Sequence, residues 1–363
     1  MAIVRRVRRP QWLKFKFRMA SEPRSQNGSH PKTDSRKNGL HVGGYRVLRE
    51  IETDSLGVIY EAEHPRMHQK VAVRTIEATV ARDVSFSRRF LLELRSYVAL
   101  EHPSIPRLYE LAYDGDSPYL VTEMIPGKTL DEVLGSGVRY DALGIIGLLR
   151  PIADALDYAH SRATVHRDVK PASILLADDG RTMLTGFGLG TVASFNTGPA
   201  AGGQVAPDYV APERLVGREV DGRADVYSLA AVIFEAVTGR RPFSSKSWIE
   251  TLSRRLYEPP PTVHDVTPDL PAQFAAVLQA AMDRDPERRP ATAGELLDRL
   301  EDALVHPETA EPVHWLQPAM HRGSLGLSAL LVLLVGAAET AWLLDGAGLT
   351  LLVKLTHRLF GVH

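Results

Sequence analysis

The feature that most constrains the fold is a change in hydrophobic periodicity close to residue 126. From Tyr45 onward, short runs such as "GVIYEAEH" and "KVAVRTIE" alternate apolar and polar side chains and predict strands, interrupted by one helical stretch, "SFSRRFLLELRSYVALEH". From Leu130 to about Val305, apolar residues recur at helical spacing, as in "ALGIIGLLRPIADALDYAHSR". A small β-rich lobe followed by a larger helical lobe, with a cleft between them, is an α+β arrangement. We therefore predict lobes over residues 41–126 and 127–305.

Local signals refine this prediction at two places. Thr292 and Glu295 precede the apolar run "LLDRLEDAL" and form a capping-box pattern, which predicts the start of the last helix. Asp178 and Asp179 lie in "ADDG", where short polar residues before a glycine indicate a turn rather than a metal site.

Cysteine and histidine limit the possible chemistry. The 363-residue chain has no cysteine, so it can form neither a disulfide nor a thiolate metal site. Its 13 histidines show no metal-ligand spacing. The sequence therefore predicts no metal centre built on cysteine or histidine.

The N-terminal segment is strongly basic. Residues 1–40 carry 11 Lys and Arg residues against two acidic residues, so their charge is +9 and the rest of the chain carries −10. The segment interleaves basic residues with Trp12, Phe15 and Phe17, then becomes rich in Ser, Pro, Gly and Asn. We predict a basic, disordered arm. It is a solvated tail, or translation begins at Met19; alternatively, its first half contacts an anionic lipid surface, where each basic residue would contribute about 1 kcal/mol. No specific nucleic-acid partner is expected.

The C-terminal region changes character again. Residues 324–344 form a 21-residue apolar run broken only by Glu339, long enough to span a hydrocarbon core of about 30 Å. We predict a linker over 306–323, a transmembrane helix over 324–344 and an amphipathic tail over 345–363. The alternative is an apolar helix docked on the helical lobe or buried in an oligomer. Lys354 and Arg358 follow the run and mildly oppose a single span with its tail outside.

A series of motifs runs in order between residues 45 and 305. They are "YRVLREIETDSLGVIYEAEHP", "VAVRTI", "RFLLELRS", "VHRDVKPASILL", "LTGFGLG", "VAPER", "DVYSLAAVIFEAVTGRRPF" and "DRDPERRPAT". Together they resemble the bacterial-type serine/threonine protein kinases, of which this chain looks like a degenerate member. The resemblance implies a two-lobed protein-kinase-like fold.

The resemblance also implies roles for individual residues. It assigns Asp168 and Lys170 to the acceptor hydroxyl and the transferred phosphoryl group, as the catalytic pair. It places Tyr97, Leu108, His166 and Phe187 in one apolar stack above Asp225, and it pairs Glu213 with Arg289. For the nucleotide it assigns apolar walls, hinge and phosphate-side residues, which are Gly57, Ile59, Ala72, Arg74, Glu93, Thr122, Glu123, Ile125 and Leu175.

The departures from the family pattern concern phosphate and metal. Glu52 and Asp54 stand where the first two glycines of the phosphate loop are expected, and Arg74 stands where a lysine is expected. Ser173 and Gly186 occupy the two positions expected to hold Mg²⁺. We therefore predict no metal site, no Mg²⁺ binding and, at most, weak ATP binding. The two loop acids are alternatively substitute metal ligands, or ion-pair partners of Arg74.

These observations predict a membrane-tethered pseudokinase that docks on a protein partner, such as an active kinase or another signalling protein. The kinase-like domain is expected in the cytoplasm, below a single membrane span. The enzyme alternative is an active, atypical serine/threonine kinase that uses Asp168 as its base. A membrane adaptor with a collapsed cleft is a third possibility.

Overall fold

The strands of the first lobe form one antiparallel sheet. The computed structural model describes residues 39–54, 57–77, 94, 96–115, 117–189, 207–245 and 247–307. Within these residues the sheet has six strands in the order β1-β2-β3-β4-β6-β5. The strands are β1 (His41–Val42), β2 (Tyr45–Asp54), β3 (Gly57–Glu63), β4 (Lys70–Thr75), β5 (Leu108–Asp114) and β6 (Ser117–Glu123).

The two faces of this sheet have different roles. Val71 and Val73 of β4 point to one face, where they join a small buried core. Because strand side chains alternate, Ala72 and Arg74 lie on the other face. The register pairs Arg74 with Ile59 on β3. Ile59, Ala72 and Arg74 therefore share one face, as the predicted nucleotide site requires.

The second lobe is mainly helical. Its helices in the described part of the chain are α1 (Leu130–Gly135), α2 (Ala142–His160), α3 (Pro212–Leu215), α4 (Arg223–Thr238), α5 (Trp248–Tyr257), α6 (Ala272–Ala281) and α7 (Ala293–Val305). A three-stranded sheet of β7 (Gly127–Thr129), β8 (Ile174–Ala177) and β9 (Thr182–Leu184) accompanies them. The sequence did not predict this sheet, because strands of three or four residues are too short to show a period.

Helix α4 is the centre of the second lobe. Of its 16 residues, 14 are buried, so the helix is apolar on nearly all sides and packs within the core rather than on its surface. Helix α2 packs beside it, and its side chains Leu149, Ile152 and Leu156 are fully buried. Gly239 ends α4 with a φ of +68°, the left-handed conformation that favours glycine at a helix C-terminus.

The N-terminus of α7 is capped from two directions. Thr292 Oγ1 accepts a hydrogen bond from the Glu295 N–H at 3.1 Å, as the capping-box pattern predicts. The Glu295 carboxylate, however, accepts from the Ala291 N–H at 2.7 Å rather than from Thr292. Asp157 of α2 accepts the first two backbone N–H groups of α7, each at 2.9 Å. This arrangement ties α7 to α2 and places a carboxylate at the positive end of the helix.

Several predictions lie outside the described residues. These are nearly all of the basic arm over 1–40, the apolar run 324–344, the tail 345–363 and Glu93. Residues 94 and 96–98, within the predicted helix of the first lobe, are helical. Among the described helices, none has the length and apolar character needed to cross a membrane.

Candidate functional site

The predicted catalytic pair lies together on the loop between α2 and β8. Lys170 Nζ is 2.8 Å from Asp168 Oδ2. Both side chains are partly exposed, at 37% for Lys170 and 21% for Asp168. The ion pair therefore lies where it is open to solvent and to an acceptor group.

A buried carboxylate holds this loop from below. Asp225 of α4 accepts hydrogen bonds from the backbone N–H groups of His166 (2.8 Å) and Arg167 (2.7 Å), and from His160 Nε2 (2.7 Å). Burial acts to raise the pKa of Asp225, but the hydrogen bond and charge of His160 outweigh it, so the pKa lies below its usual range. Arg167 has a φ of +68°, a conformation unusual for a side chain of this size. The three bonds to Asp225 fix the loop in that conformation.

His166 connects the catalytic loop to the segment after β9. Its Nε2 donates to the Thr185 carbonyl at 2.9 Å, and its Nδ1 accepts the Asp168 N–H at 3.2 Å. Burial lowers the pKa of His166, which agrees with a neutral ring protonated at Nε2. The ring meets the Phe187 ring edge-on at 4.5 Å, and Phe187 lies 6.0 Å from Tyr97 of the first lobe. Three members of the predicted stack are therefore adjacent, and the fourth, Leu108, belongs to the same buried core as Tyr97 and Phe187.

Ser173 uses its hydroxyl within its own loop. Its Oγ accepts the Lys170 N–H at 3.0 Å and donates to the Lys170 carbonyl at 2.8 Å. The Ser173 carbonyl in turn accepts the Thr185 N–H at 2.8 Å and the Thr185 hydroxyl at 3.1 Å. Ser173 is buried, so its polar groups brace the loop instead of facing an ion.

Gly186 offers no side-chain ligand, although the space beside it is open and only its backbone conformation disfavours a side chain. Its φ is +93°. A Cβ built at this position would meet only the His166 ring, at 3.7 Å, which is an ordinary contact distance. The residue type, rather than crowding, leaves this position without an oxygen ligand.

The hairpin over the cleft contains a glycine that has a packing role. Asp54 pairs with Gly57 across β2 and β3, so the connection between the strands is two residues long. Gly57 has a φ of +146°, and a Cβ there would lie 2.1 Å from the Thr75 carbonyl oxygen. Only glycine fits so close to β4. The opposite strand carries the exposed acid Glu52, whose Cα partner is Ile59.

The remaining predicted nucleotide residues fall into two groups. In the first lobe, Ile59, Ala72 and Arg74 are partly buried on one sheet face. In the second lobe, Leu175 packs against a buried cluster that contains Ile125, Ala177 and Met183. Each lobe therefore presents apolar side chains at its predicted wall of the slot.

The predicted hinge has one backbone donor engaged and one open. The Glu123 N–H donates to the Arg107 carbonyl at 2.9 Å, so it belongs to the β5–β6 pairing. The Ile125 N–H makes no hydrogen bond within the described residues. A hydrogen-bond acceptor on the edge of a planar ligand could therefore bind the backbone N–H of Ile125 but not that of Glu123.

Two buried arginines stabilise the lower lobe. Arg289 forms two parallel bonds of 2.7 Å with Glu213, as predicted, with both side chains at most 5% exposed. Arg255 of α5 is fully buried, and its guanidinium donates to the carbonyls of Val210 (2.6 Å) and Asp208. Sequence reasoning missed Arg255, because nothing in the pattern distinguishes it from the partly exposed Arg254 beside it.

The donor set does not suit Mg²⁺. This ion requires several hard oxygen ligands in near-octahedral array. Ser173 has turned its hydroxyl inward, Gly186 has none, and Asp168 pairs with Lys170. Elsewhere in the described residues, no group of three His, Asp or Glu side chains could hold a metal ion.

The protein kinase domain profile matches residues 45–301, well over half of the chain. The chain belongs to the protein kinase family. The two-lobed fold predicted from the motifs is confirmed, with a β-rich first lobe and a helical second lobe.

Curated relatives within this kinase family include serine/threonine-protein kinases of Mycobacterium tuberculosis. PknJ is 33% identical over 73% of this chain and 46% of its own length, and PknA is 32% identical over 70% and 60%. The chain thus spans about half the length of these relatives. A crystal structure of the M. tuberculosis PknI kinase domain is similar at a TM-score of 0.60 and 27% identity, covering 73% of this chain and 98% of that one.

Proposed function

We propose that this kinase-family chain is a pseudokinase, which uses the kinase fold to bind a protein partner and does not transfer phosphate. The observation that carries the proposal is the state of the two expected metal positions. The Ser173 hydroxyl is bonded to the Lys170 backbone, and Gly186 has no side chain although space exists for one.

The phosphate side of the cleft gives further support. Gly57 is committed to packing against Thr75, and exposed Glu52 adds negative charge to the hairpin where a triphosphate would approach. Arg74 provides a planar guanidinium rather than a compact ammonium group, and the two are not equivalent at a phosphate. Like charges and poor geometry both disfavour a triphosphate here.

The intact Asp168–Lys170 pair does not compensate for these losses. Phosphoryl transfer in this family depends mainly on positioning and on electrostatic stabilisation of the transferred group. Losing one preorganised electrostatic group typically lowers the rate about 10²–10³-fold. With both metal positions altered, the expected turnover is negligible even if the losses are not additive.

The proposed role is regulatory. The chain would dock on an active kinase or another signalling protein at the cytoplasmic face of a membrane, anchored by the apolar run 324–344. ATP binding would be weak and independent of Mg²⁺, because the apolar walls at Ile59, Ala72 and Leu175 favour a planar base while the phosphate side does not.

Phosphate transfer from radiolabelled ATP tests the proposal. The purified full chain is incubated with a mixture of protein substrates and either Mg²⁺ or Mn²⁺, beside an Asp168→Ala variant. We expect equal background labelling from both proteins. Labelling that Asp168→Ala abolishes would show that the chain is an active kinase.

An active, atypical serine/threonine kinase is the second candidate function. The 2.8 Å Asp168–Lys170 pair and the names of the relatives favour it. A thermal-shift titration separates the two candidates, because a bound ligand raises the melting temperature. An active kinase responds to ATP with Mg²⁺ more than to ATP alone, whereas the proposed pseudokinase responds equally to both.

A further inference from the structure

A second pocket lies in the first lobe, away from the catalytic loop. It has a volume of about 320 Å³ and is bounded by β1, the β2–β3 hairpin and the ends of β4, β5 and β6. The side chains that matter here are apolar ones and two carboxylates, namely Val42, Val58, Ile76, Tyr119, Glu77 and Asp114.

These side chains divide into a floor and a rim. Val42, Ile76 and Tyr119 are buried, whereas Glu77 and Asp114 are exposed. The pocket therefore combines an apolar interior with negative charge at its mouth. A ligand that carries an aromatic or aliphatic group together with a positive charge fits this combination.

The chain enters the first lobe beside this pocket. Asp114 Oδ2 accepts the Gly43 N–H at 3.1 Å, and the Tyr119 hydroxyl donates to the Gly43 carbonyl at 3.5 Å. Both contacts hold β1 against the pocket, and Val42 of β1 lines it. The segment that precedes β1 therefore begins within reach of the pocket.

That segment has the matching chemistry. Residues 5–18 read "RRVRRPQWLKFKFR" and carry seven basic residues, no acidic residue, and the aromatic side chains of Trp12, Phe15 and Phe17. The chain between residues 18 and 39 spans up to about 70 Å when extended, so the pocket is within its range. A cavity of about 150 Å³ already admits a benzene ring, so this pocket has room for an aromatic side chain.

We propose that residues 5–18 dock in this pocket within the same molecule. Trp12 or a neighbouring aromatic ring occupies the apolar floor, and the flanking Arg and Lys residues face Glu77 and Asp114. Because the segment is covalently attached, its effective concentration at the pocket is high, and modest contacts suffice. This proposal does not depend on whether the chain transfers phosphate.

Docking in this pocket would also affect the cleft, because the two share the β2–β3 hairpin. Gly57 and Val58 line the pocket and also belong to the β2–β3 hairpin, while Thr75 lies at the end of the strand that carries Arg74. An occupied pocket therefore restricts the motion of the β2–β3 hairpin. In this way the basic arm would stabilise the first lobe.

Photo-crosslinking tests the proposal directly. A photoreactive phenylalanine analogue replaces Trp12 in the full chain, and a control protein carries it at Asn27 in the polar half of the arm. We expect intramolecular crosslinks from position 12 to residues 42, 58, 76 or 119 and none of these from position 27. Crosslinks from position 12 mainly to other regions, or equal crosslinks from both positions, would overturn the proposal.

Hydrogen exchange supplies a second measurement that does not depend on the analogue. In the variant Lys14→Glu with Lys16→Glu, peptides covering 57–60 and 112–119 should exchange about tenfold faster, and α2 should be unchanged. Raising the salt concentration should speed the same peptides in the parent chain. The proposal fails if these peptides exchange equally in both proteins, or are protected only when vesicles of phosphatidylserine and phosphatidylcholine hold the arm.

Discussion

Below the catalytic loop, three hydrogen bonds converge on the buried carboxylate of Asp225, whereas above it Gly186 presents no side-chain atom at all. His166 lies between the two positions: its backbone N–H donates to Asp225, and its ring faces the side of Gly186 where a Cβ would stand. The lower region has the residues that hold the loop in shape. The upper region lacks the oxygen atoms that would hold an ion.

The difference teaches that the shape of a kinase cleft and its chemistry rest on separate sets of residues. The His166–Phe187 contact and the Asp225 bonds stabilise the protein whether or not a ligand binds. Metal ligands make no such contribution until the metal is present. The first set is therefore required for folding, and the second only for the reaction.

The largest expected effect tests the lower region. Replacing Arg289 with Met leaves the Glu213 carboxylate buried without its partner, and should lower the free energy of unfolding by about 3–5 kcal/mol. Urea denaturation of the full chain measures it. Arg299→Met, which removes an exposed ion pair with Glu295, should cost no more than about 0.5 kcal/mol. Equal losses from the two variants would contradict the role of the buried pair.

Arg255 should show the next largest effect. Arg255→Met removes hydrogen bonds to the Val210 and Asp208 carbonyls, which become buried acceptors without donors, and should cost about 2–3 kcal/mol. Exchange in residues 207–211 should speed more than exchange in α2. Arg254→Met, at the partly exposed neighbouring position, is the matched control and should change stability by less than about 0.5 kcal/mol. A uniform rise in exchange would mean that Arg255 does not act locally.

A gain-of-ligand variant tests the upper region. Ser173→Asn combined with Gly186→Asp supplies two oxygen ligands, and Asp tolerates positive φ better than most residues. We expect Mg²⁺ to improve ATP binding about tenfold, or about 1.4 kcal/mol, in this variant but not in the parent. Calorimetric titration with and without Mg²⁺ measures both proteins. If Mg²⁺ strengthens ATP binding equally in the parent, the proposed loss of the metal site is wrong.

The His160–Asp225 bond predicts a pH dependence. Burial acts to lower the pKa of His160, but the hydrogen bond and charge of Asp225 raise it above its usual value. The native state then binds this proton more tightly than the unfolded state, so the stabilisation is present below about pH 6.5 and is lost as pH rises through the folded pKa. Relative to His160→Gln, the parent should be about 1 kcal/mol more stable at pH 6 than at pH 9. A difference that does not vary with pH would contradict this assignment.

The smallest expected effect concerns Tyr227. Its hydroxyl is buried and has no hydrogen-bond partner within the described part of the chain. Because no hydrogen bond is lost, Tyr227→Phe should leave the unfolding free energy within about 0.5 kcal/mol of the parent, or raise it. Thermal denaturation measures the change. A loss above about 1 kcal/mol would mean that the hydroxyl has a partner in the native protein.

Strands and helices with a clear period were predictable from the sequence. The alternation in β3 and β4 and the helical spacing in α2 and α4 identified the order of elements in both lobes, and the ordered motifs identified the family. The sheet of β7, β8 and β9 was not predictable, because each strand is too short for its pattern to differ from chance. The hydrogen bonds at the start of α7 also differ from the predicted capping box, because the Glu295 carboxylate accepts from the Ala291 N–H and not from the Thr292 N–H.

The candidate site was predictable in residue type but not in bonding. The sequence placed Ser173 and Gly186 at the expected metal positions, yet it could not show that the Ser173 hydroxyl bonds to the Lys170 backbone. Arg255 gave no signal, since arginines are usually exposed and burial depends on the fold around them. Roles that depend on where neighbouring backbone groups lie become visible only in three dimensions.

The bonds between the Ser173 hydroxyl and the Lys170 backbone determine the shape of the catalytic loop when no ligand is bound. A catalytic loop completed by its own backbone needs no ion or cosubstrate to reach its final shape. Because the loop is bonded to itself through Ser173, its shape would not change as the concentrations of nucleotide and Mg²⁺ rise and fall.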